Sequence, residues 1–523
     1  MKNLLRILIG IVTFAFLSGA AWADKLTIGT AVFADTLDPH FSNSPPDLSQ
    51  ARHFFDNLIF FDENQQLKPG LAESWKLLDD QTWELKLRKD VKWHDGAPFT
   101  ADDVLFTFDR TGKVQGSTSS SLRFFTLGGK KATKVDDYTV RVATDKGYVL
   151  TLQDLAVFGI ISKKHGTGAG AAEYSSGKAV VGTGPYKFSQ YTSGSQIDMV
   201  ANPDYWGGKP QWDQVVIKSI KSNPSRVAAL LSGEVDIIDY VPPEDLEHVR
   251  ANKNIALHES ASNRLIYLEL DTARDITPQV KTLSGAPMVN PLRDWRVRKA
   301  MSMAIDRNAI ISQVLSTMGI PASQMLPQGF FGVINDFPVE KYDLAGAKEL
   351  LAEAGYGKGF HLTVHGPNDR YVQDRKIIET VAQMLSRLGL KIEVVTLPKS
   401  VYFTRSRELE FSVALKGYGS DTGEVGSSLV NVIESYNAEK RTGASNAGRY
   451  QNPRVDKAID EALVTMDDNK RSKLFQEATR ISMNDLAIIP LHFQKNVWAS
   501  RMGIHYVART DEFTIATYIT KGR

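Results

Sequence analysis

Residues 71–108, LAESWKLLDDQTWELKLRKDVKWHDGAPFTADDVLFTF, restrict what the chain can fold into more tightly than any other stretch. Trp83, Leu85 and Leu87 alternate with Glu84, Lys86 and Arg88, which predicts a strand with one buried and one wet face. Asp79-Asp80 supplies the turn before it, and His94-Asp95-Gly96 makes a second tight turn. Thr100 then N-caps a helix in which Val104, Leu105 and Phe108 share one face. A hairpin feeding a helix is a scaffold, and the chemistry has to be sought elsewhere.

The remaining periodicities alternate between strand and helix. Residues 25–31, the set Tyr138, Val140 and Val142, and the pair Val215 and Ile217 predict short strands. Asn223 caps a helix that opens with Pro224, turns Val227, Leu230 and Leu231 to one side, and stops at Gly233. Val297, Ala300, Met301, Ala304 and Ile305 form the stripe of a packed helix. On that helix Arg293, Arg296, Arg298 and Lys299 read as the wet face, and Asp306-Arg307 as a helix junction. Asp343 opens a further helix burying Ala347, Leu350, Leu351 and Ala354 up to Gly355. Ile378, Val381, Leu385 and Leu388 make another, ended by Gly389 and followed by a strand over 391–395, the helix-to-strand step of an α/β fold. The stretches 112–121 and 166–177 (GTGAGAAEYSSG) read as surface loops.

At 523 residues the chain is too long for one hydrophobic core and predicts two or three domains. Lys2 and Arg6, an apolar run to Phe16 and Ala21-Trp22-Ala23 form a secretory signal cut before Asp24, so the expected compartment is the periplasm. The formal charge of +2 resides in Lys2 and Arg6, which leaves the mature chain with equal acidic and basic counts. That balance, without a basic tract, argues against nucleic acid or an anionic membrane surface as partner. There is no cysteine, hence no disulfide, thiolate metal site, thiol nucleophile or lipidated anchor.

Hydrolase and zinc-protease motifs are missing: there is no G-x-S-x-G and no H-E-x-x-H. Gly182-Thr183-Gly184-Pro185 lacks the Lys-Ser/Thr of a phosphate loop, and Pro185 removes a backbone donor, so it reads as a structural turn. Of ten histidines, His94 belongs to a turn, and only His361 and His365 share a strand face in a spacing suggestive of metal ligands. The best candidate for a ligand site is 416–424, KGYGSDTGE, where two glycines flank Tyr418 and Asp421 follows an apolar strand.

Several blocks occur in one order: 71–108, Gly182-Thr183-Gly184-Pro185-Tyr186, 201–210 (ANPDYWGGKP), 224–237 (PSRVAALLSGEVDI), 293–307 (RDWRVRKAMSMAIDR), 342–356 and 449–467. In this series the chain resembles, from residue 26 to residue 507, the family 5 solute-binding proteins, receptors of ABC importers for oligopeptides, dipeptides, nickel, opines and some sugars. The resemblance implies a two-lobed α/β periplasmic binding protein of the large peptide-binding type. Lobe I is then 24–271 with an extra subdomain at 67–181, lobe II is 272–493, and 494–523 returns to lobe I. It implies a monomer without cofactor or enzymatic activity, which closes on a solute and delivers it to permease subunits and their ATPases. Asp421 takes the position that pairs with a peptide α-ammonium, Tyr418 stands where relatives carry a tryptophan, and Gly419 lies between them. Arg370 falls where dipeptide receptors bind the carboxylate, with Asn263, Tyr267, Phe33, Asp35 and Thr36 as further ligand-side residues. After Asp421 the chain reads Thr422-Gly423-Glu424-Val425, unlike many peptide receptors. An opine, a sugar or a nickel chelate on His361 and His365 therefore stands open beside a di- or oligopeptide, with a periplasmic enzyme or holdase as remoter readings.

Overall fold

The computed structural model describes residues 24–34, 36–42, 44–111, 113–114, 126–420 and 422–522. Residues 1–23, Asp35, Asp421 and most of the 112–121 stretch lie outside the described residues.

Two long strands organise the molecule. Ile255–Leu270 and Ile488–Arg501 pair antiparallel at the centre of a twelve-stranded sheet. At about 3.3 Å per residue, the sixteen residues of the first are long enough to serve two lobes. On one side follow Ile237–Ile238, Lys25–Thr30, Gln214–Ser219, Gln196–Ala201 and Tyr186–Thr192. On the other lie Val413–Gly419, His361–Pro367 and Val280–Lys281, with Lys391–Leu397 beside His361–Pro367 and Gly319–Pro321 beside Ile488–Arg501. Lys25–Thr30 runs parallel to Gln214–Ser219 and Ile237–Ile238, and His361–Pro367 parallel to Lys391–Leu397, so helices must cross over each parallel pair. Asn223–Ser232 joins Gln214–Ser219 to Ile237–Ile238 on the two sides of Lys25–Thr30, and Asp374–Ser386 joins His361–Pro367 to Lys391–Leu397.

Each lobe has its own core. Leu26, Ile28, Val215, Ile217 and Trp498 centre the first, and Ile266, Leu268, Val297, Met301, Ile378 and Leu385 the second. A four-stranded antiparallel sheet (Ala72–Asp79, Thr82–Leu87, Thr139–Thr144, Lys130–Asp136) forms the subdomain with helix Ala101–Thr111. Leu85, Leu87, Val104, Val140 and Val142 are buried there as the alternation predicts. Thr100 donates its backbone N–H to Asp103, the return bond of a capping box at the helix start.

Some expectations need correction. Ser222, not Asn223, caps the helix at 223, accepting from the Ser225 N–H, while Asn223 accepts from Arg226. Arg298 is buried instead of wet, because its guanidinium donates to the carbonyls of Leu292, Arg293, Asp485 and Leu486. The 166–177 stretch carries the short helix Ala171–Ser175, and Tyr174 is buried beneath the Arg110 guanidinium and against Phe55. His361 and His365 do occupy one strand, but four residues of strand separate them by about 13 Å, too far to share an ion. His365 stacks on Phe411 at 4.2 Å, and burial drives its pKa to about 4.

The Gly182–Gly184 turn is held by contact. A Cβ on Gly182 would stand 1.7 Å from the Phe54 carbonyl oxygen, and one on Gly184 2.6 Å from it. His94 stitches the turn: its Nδ1 accepts from the Gly182 N–H at 3.2 Å, and its Nε2 donates to the Gly184 carbonyl at 3.0 Å. The Nδ1 bond requires a neutral ring, and burial lowers its pKa from the usual 6.5 to about 4.

Gly182→Ala is therefore expected to cost about 2 kcal/mol or more of stability. Gly194→Asn, at an open left-handed position, stays within about 1 kcal/mol; chemical denaturation measures both. Because the folded-state pKa of His94 is depressed, its contribution is complete above pH 6.5 and is lost as pH falls from 6.5 to about 4. The loss is about 1.4 kcal/mol per pH unit in that window. His94→Gln should take up one proton fewer on unfolding at pH 5 than the parent, read from the slope of stability against pH.

Candidate functional site

The sheet is irregular where the lobes meet. Ala261 pairs with Lys495 and Leu265 with Phe493, so Ser262, Asn263 and Arg264 stand opposite Gln494 alone. Such a bulge bends the strand and takes several backbone groups out of the ladder. The C-terminal return meets them: the Asn263 N–H donates to the Thr510 carbonyl, and Ser262 Oγ donates to Glu512. Arg264 grips the same carboxylate with two bonds of 2.9 and 3.0 Å. Burial pushes the Glu512 carboxyl up, but Arg264, together with the nearby Arg370 charge and the Ser262 hydroxyl, holds the group below its usual value.

Above the bulge lies an inter-lobe cavity of about 330 Å³. Lobe I contributes Leu48, Arg52 and Gln65, the bulge Asn263 and Arg264, and lobe II Arg370, Tyr418, Gly419 and Ser420. Small residues let the Val413–Gly419 strand come close: a Cβ on Gly417 would meet the Tyr371 ring at 2.7 Å, and one on Gly419 the Asn263 Oδ1 at 3.0 Å. A second cavity of about 760 Å³ adjoins the first and shares Leu48, Val157 and Tyr418 with it.

The charges of the smaller cavity do not cancel. Arg264 is matched by Glu512, and Arg509 is matched by Asp511 at 2.5 Å. Arg370 lies 5.2 Å over the Tyr371 ring, its backbone N–H held by Asp374 at 2.8 Å. Desolvation at the cavity wall, and then the nearby Arg264 charge, lower its pKa. Arg52 donates to the Ala156 carbonyl at 2.5 Å, and burial followed by Arg509 pushes its pKa down to about 10. Among the described residues neither Arg370 nor Arg52 makes an ion pair, so the described lining presents more guanidinium than carboxylate groups. That arrangement suits a carboxylate, which guanidinium groups bind bidentately.

The lobes touch across the cleft. Gln65 Nε2 donates to the Ser420 carbonyl at 3.1 Å, and Asn263 Nδ2 reaches both Gln65 Oε1 and that carbonyl at 2.7 Å. Farther out, Gln153 Nε2 donates to Glu424 Oε1 at 2.6 Å, and the Val149 N–H to the Leu463 carbonyl. Arg471 holds the other oxygen of the buried Glu424 at 2.5 Å, yet burial outweighs that pull and raises the carboxyl's pKa.

Of the residues anticipated for ligand contact, Tyr418, Gly419, Arg370 and Asn263 border the small cavity. Tyr267 does not: its side chain is buried in the core with Leu265, Leu429 and Phe475. Phe33 stacks on Tyr191 at 6.2 Å in the lobe I core, and Thr36 bonds Ser175; neither borders either of these two cavities. Asp421 and Asp35 fall outside the described residues, although Ser420 and Thr422 each border one of the cavities. Arg52, Gln65, Gln153, Arg264 and Glu512 escaped the sequence reading. No local pattern marks them, since their partners lie 104 to 355 residues away.

Known proteins place this architecture. The sequence model for bacterial extracellular solute-binding proteins, family 5 Middle, matches residues 66–440. The dipeptide-binding protein of Escherichia coli is 29% identical over 448 residues, 80% of this chain and 79% of that protein. Heme-binding protein A of Haemophilus influenzae is 28% identical over 474 residues, 85% of this chain and 82% of its own. In fold, HbpA2 from Haemophilus parasuis superposes with a TM-score of 0.81 at 24% identity, over 96% of this chain and 100% of that one. With two lobes on shared strands and a family match across most of its length, the chain belongs to the family 5 extracellular solute-binding proteins, the substrate-binding components of ABC importers.

Proposed function

We propose that this receptor captures a small solute bearing a carboxylate, a di- or oligopeptide with free termini, and that Arg370 receives the carboxylate. The observation that carries the reading is Arg370 itself, a guanidinium at the cavity wall with no ion-pair partner among the described residues. The similarity to a dipeptide-binding protein supports it. Asp421 is proposed for the α-ammonium, on the strength of its neighbours Ser420 and Thr422 at the two cavities. Tyr418 and Asn263 complete the wall.

The protein works by binding, without catalysis or cofactor. Lobe I is taken as 24–271 with 494–523 and lobe II as 272–493, closing about the bulge at 262–264. A ligand that touches both lobes only when they are closed favours the closed form by its differential affinity. Converting a mostly open to a mostly closed population takes about 5.5 kcal/mol of such preference. Gln65–Ser420 and Gln153–Glu424 already favour closure, which lowers what the ligand must supply. The closed monomer then docks on permease subunits driven by their ATPases. It acts in the periplasm once the 1–23 leader is removed; among the described residues no helix is long and apolar enough to cross a membrane.

Calorimetry with dipeptides, free or C-amidated, tests this reading. Arg370→Ala is expected to weaken binding of the free-carboxylate peptide about 30-fold, the equivalent of one charge-assisted contact of about 2 kcal/mol. Amidation should cause a similar loss in the parent and none in the variant. Equal affinity for acid and amide would refute the assignment.

A further inference from the structure

Two histidines meet away from the cleft and take no part in the function proposed above. His258 belongs to Ile255–Leu270, and His505 to the short strand Ile504–Tyr506 of the C-terminal return. Their ring centroids lie 5.5 Å apart with the planes at 81°, and neither residue lines either of the two cavities. Packing fixes the approach: Tyr506 sits 5.0 Å from the Trp498 ring and 6.2 Å from the His258 ring, and Ile504–Tyr506 is paired to Ile519–Lys521 on its other side.

The bonds around His258 settle its tautomer. Nε2 lies 2.8 Å from Ser500 Oγ, and that hydroxyl donates its one hydrogen to the Ile504 carbonyl at 2.8 Å. Ser500 is left to accept from the ring, so the imidazole hydrogen resides on Nε2 and Nδ1 keeps its lone pair. Among the described residues nothing bonds to Nδ1, and it is not sealed from solvent although the residue is buried. A histidine tethered through one N–H and open at the other nitrogen has the form of a metal ligand. Burial, and then the neighbouring His505, lower its pKa to about 4, which keeps the ring neutral at pH 7. His505 is exposed, and neither of its nitrogens has a hydrogen-bond partner among the described residues.

Two imidazoles on one tetrahedral ion, each bonded at about 2 Å, place their ring centroids about 5 Å apart, close to the separation the packing already provides. Two nitrogens without a carboxylate suit Zn²⁺, Ni²⁺ or Cu²⁺ and not the oxygen-seeking Ca²⁺ or Mg²⁺. Among the described residues no third histidine or carboxylate joins the pair, so water completes the coordination.

We propose that His258 and His505 form a two-imidazole site for a zinc-class divalent cation, which ties the strand Ile255–Leu270 to the C-terminal return. The site stands independently of the carboxylate reading at Arg370.

Calorimetry of the untagged mature protein with Zn²⁺ tests it. The parent should bind one equivalent in the micromolar range. His505→Ala, at an exposed position, and His258→Gln, which keeps a donor for Ser500, should each weaken that binding at least tenfold, while Arg370→Ala leaves it unchanged. Bound Zn²⁺ should also slow hydrogen exchange across 504–506 in the parent and in neither histidine variant. If His258→Gln fails to fold, His505→Ala alone decides. Absence of Zn²⁺ binding, or binding that His505→Ala leaves intact, overturns the site.

Discussion

Three residues of one long strand stand against a single residue of its partner, and the rest of the molecule is arranged around that mismatch. Because Ile255–Leu270 and Ile488–Arg501 run through the centre of the sheet, the hinge proposed above is placed where their ladder is most interrupted, with a second, smaller shift at Ile266/Tyr267. Ser262, Asn263 and Arg264 supply that interruption, and the C-terminal return supplies the partners their backbone and side chains lose. A polar bulge buried without such partners would be costly. Arg264–Glu512 therefore steadies the hinge and at the same time neutralises one of the guanidinium groups at the cleft.

The consequence for recognition is electrostatic. Two arginines near the hinge are matched by Glu512 and Asp511, and two more, Arg370 and Arg52, are left to carbonyls, rings or the cavity. Arg370 is exposed at the cavity wall, so the carboxylate proposed for it gains most where closing lobes exclude water, and the proposed binding is thereby coupled to closure. Away from the hinge, Gln153–Glu424–Arg471 holds the outer wall together, so closure has two anchor points on either side of the ligand space.

Much of the fold was legible because it depends on local periodicity. The stripe of Val297, Met301 and Ile305, the terminator Gly389 and the hairpin at Leu85 and Leu87 all stand where their spacing put them. Failures occurred where burial depends on distant chain. Tyr267 lies on a central strand with nine successive buried residues, so alternation could not say which face is cleft and which is core. Arg298 looks like the wet face of a helix but reaches carbonyls 187 and 188 residues away. In the site, the glycine-flanked Tyr418 loop and Arg370 were recognisable from family resemblance, whereas Gln65, Gln153 and Glu512 required the third dimension.

The central claim is that ligand drives closure about the bulge. The chain contains no cysteine, so Asp102→Cys in the subdomain and Lys457→Cys in lobe II, both exposed, accept a pair of spin labels without background. Pulsed dipolar spectroscopy should give a broad or longer distance distribution without ligand and a short, narrow one when a tightly binding carboxylate ligand is saturating. In Arg370→Ala the same ligand concentration should leave the long population in place. One unchanged distance in the parent with and without bound ligand would contradict closure as the working step.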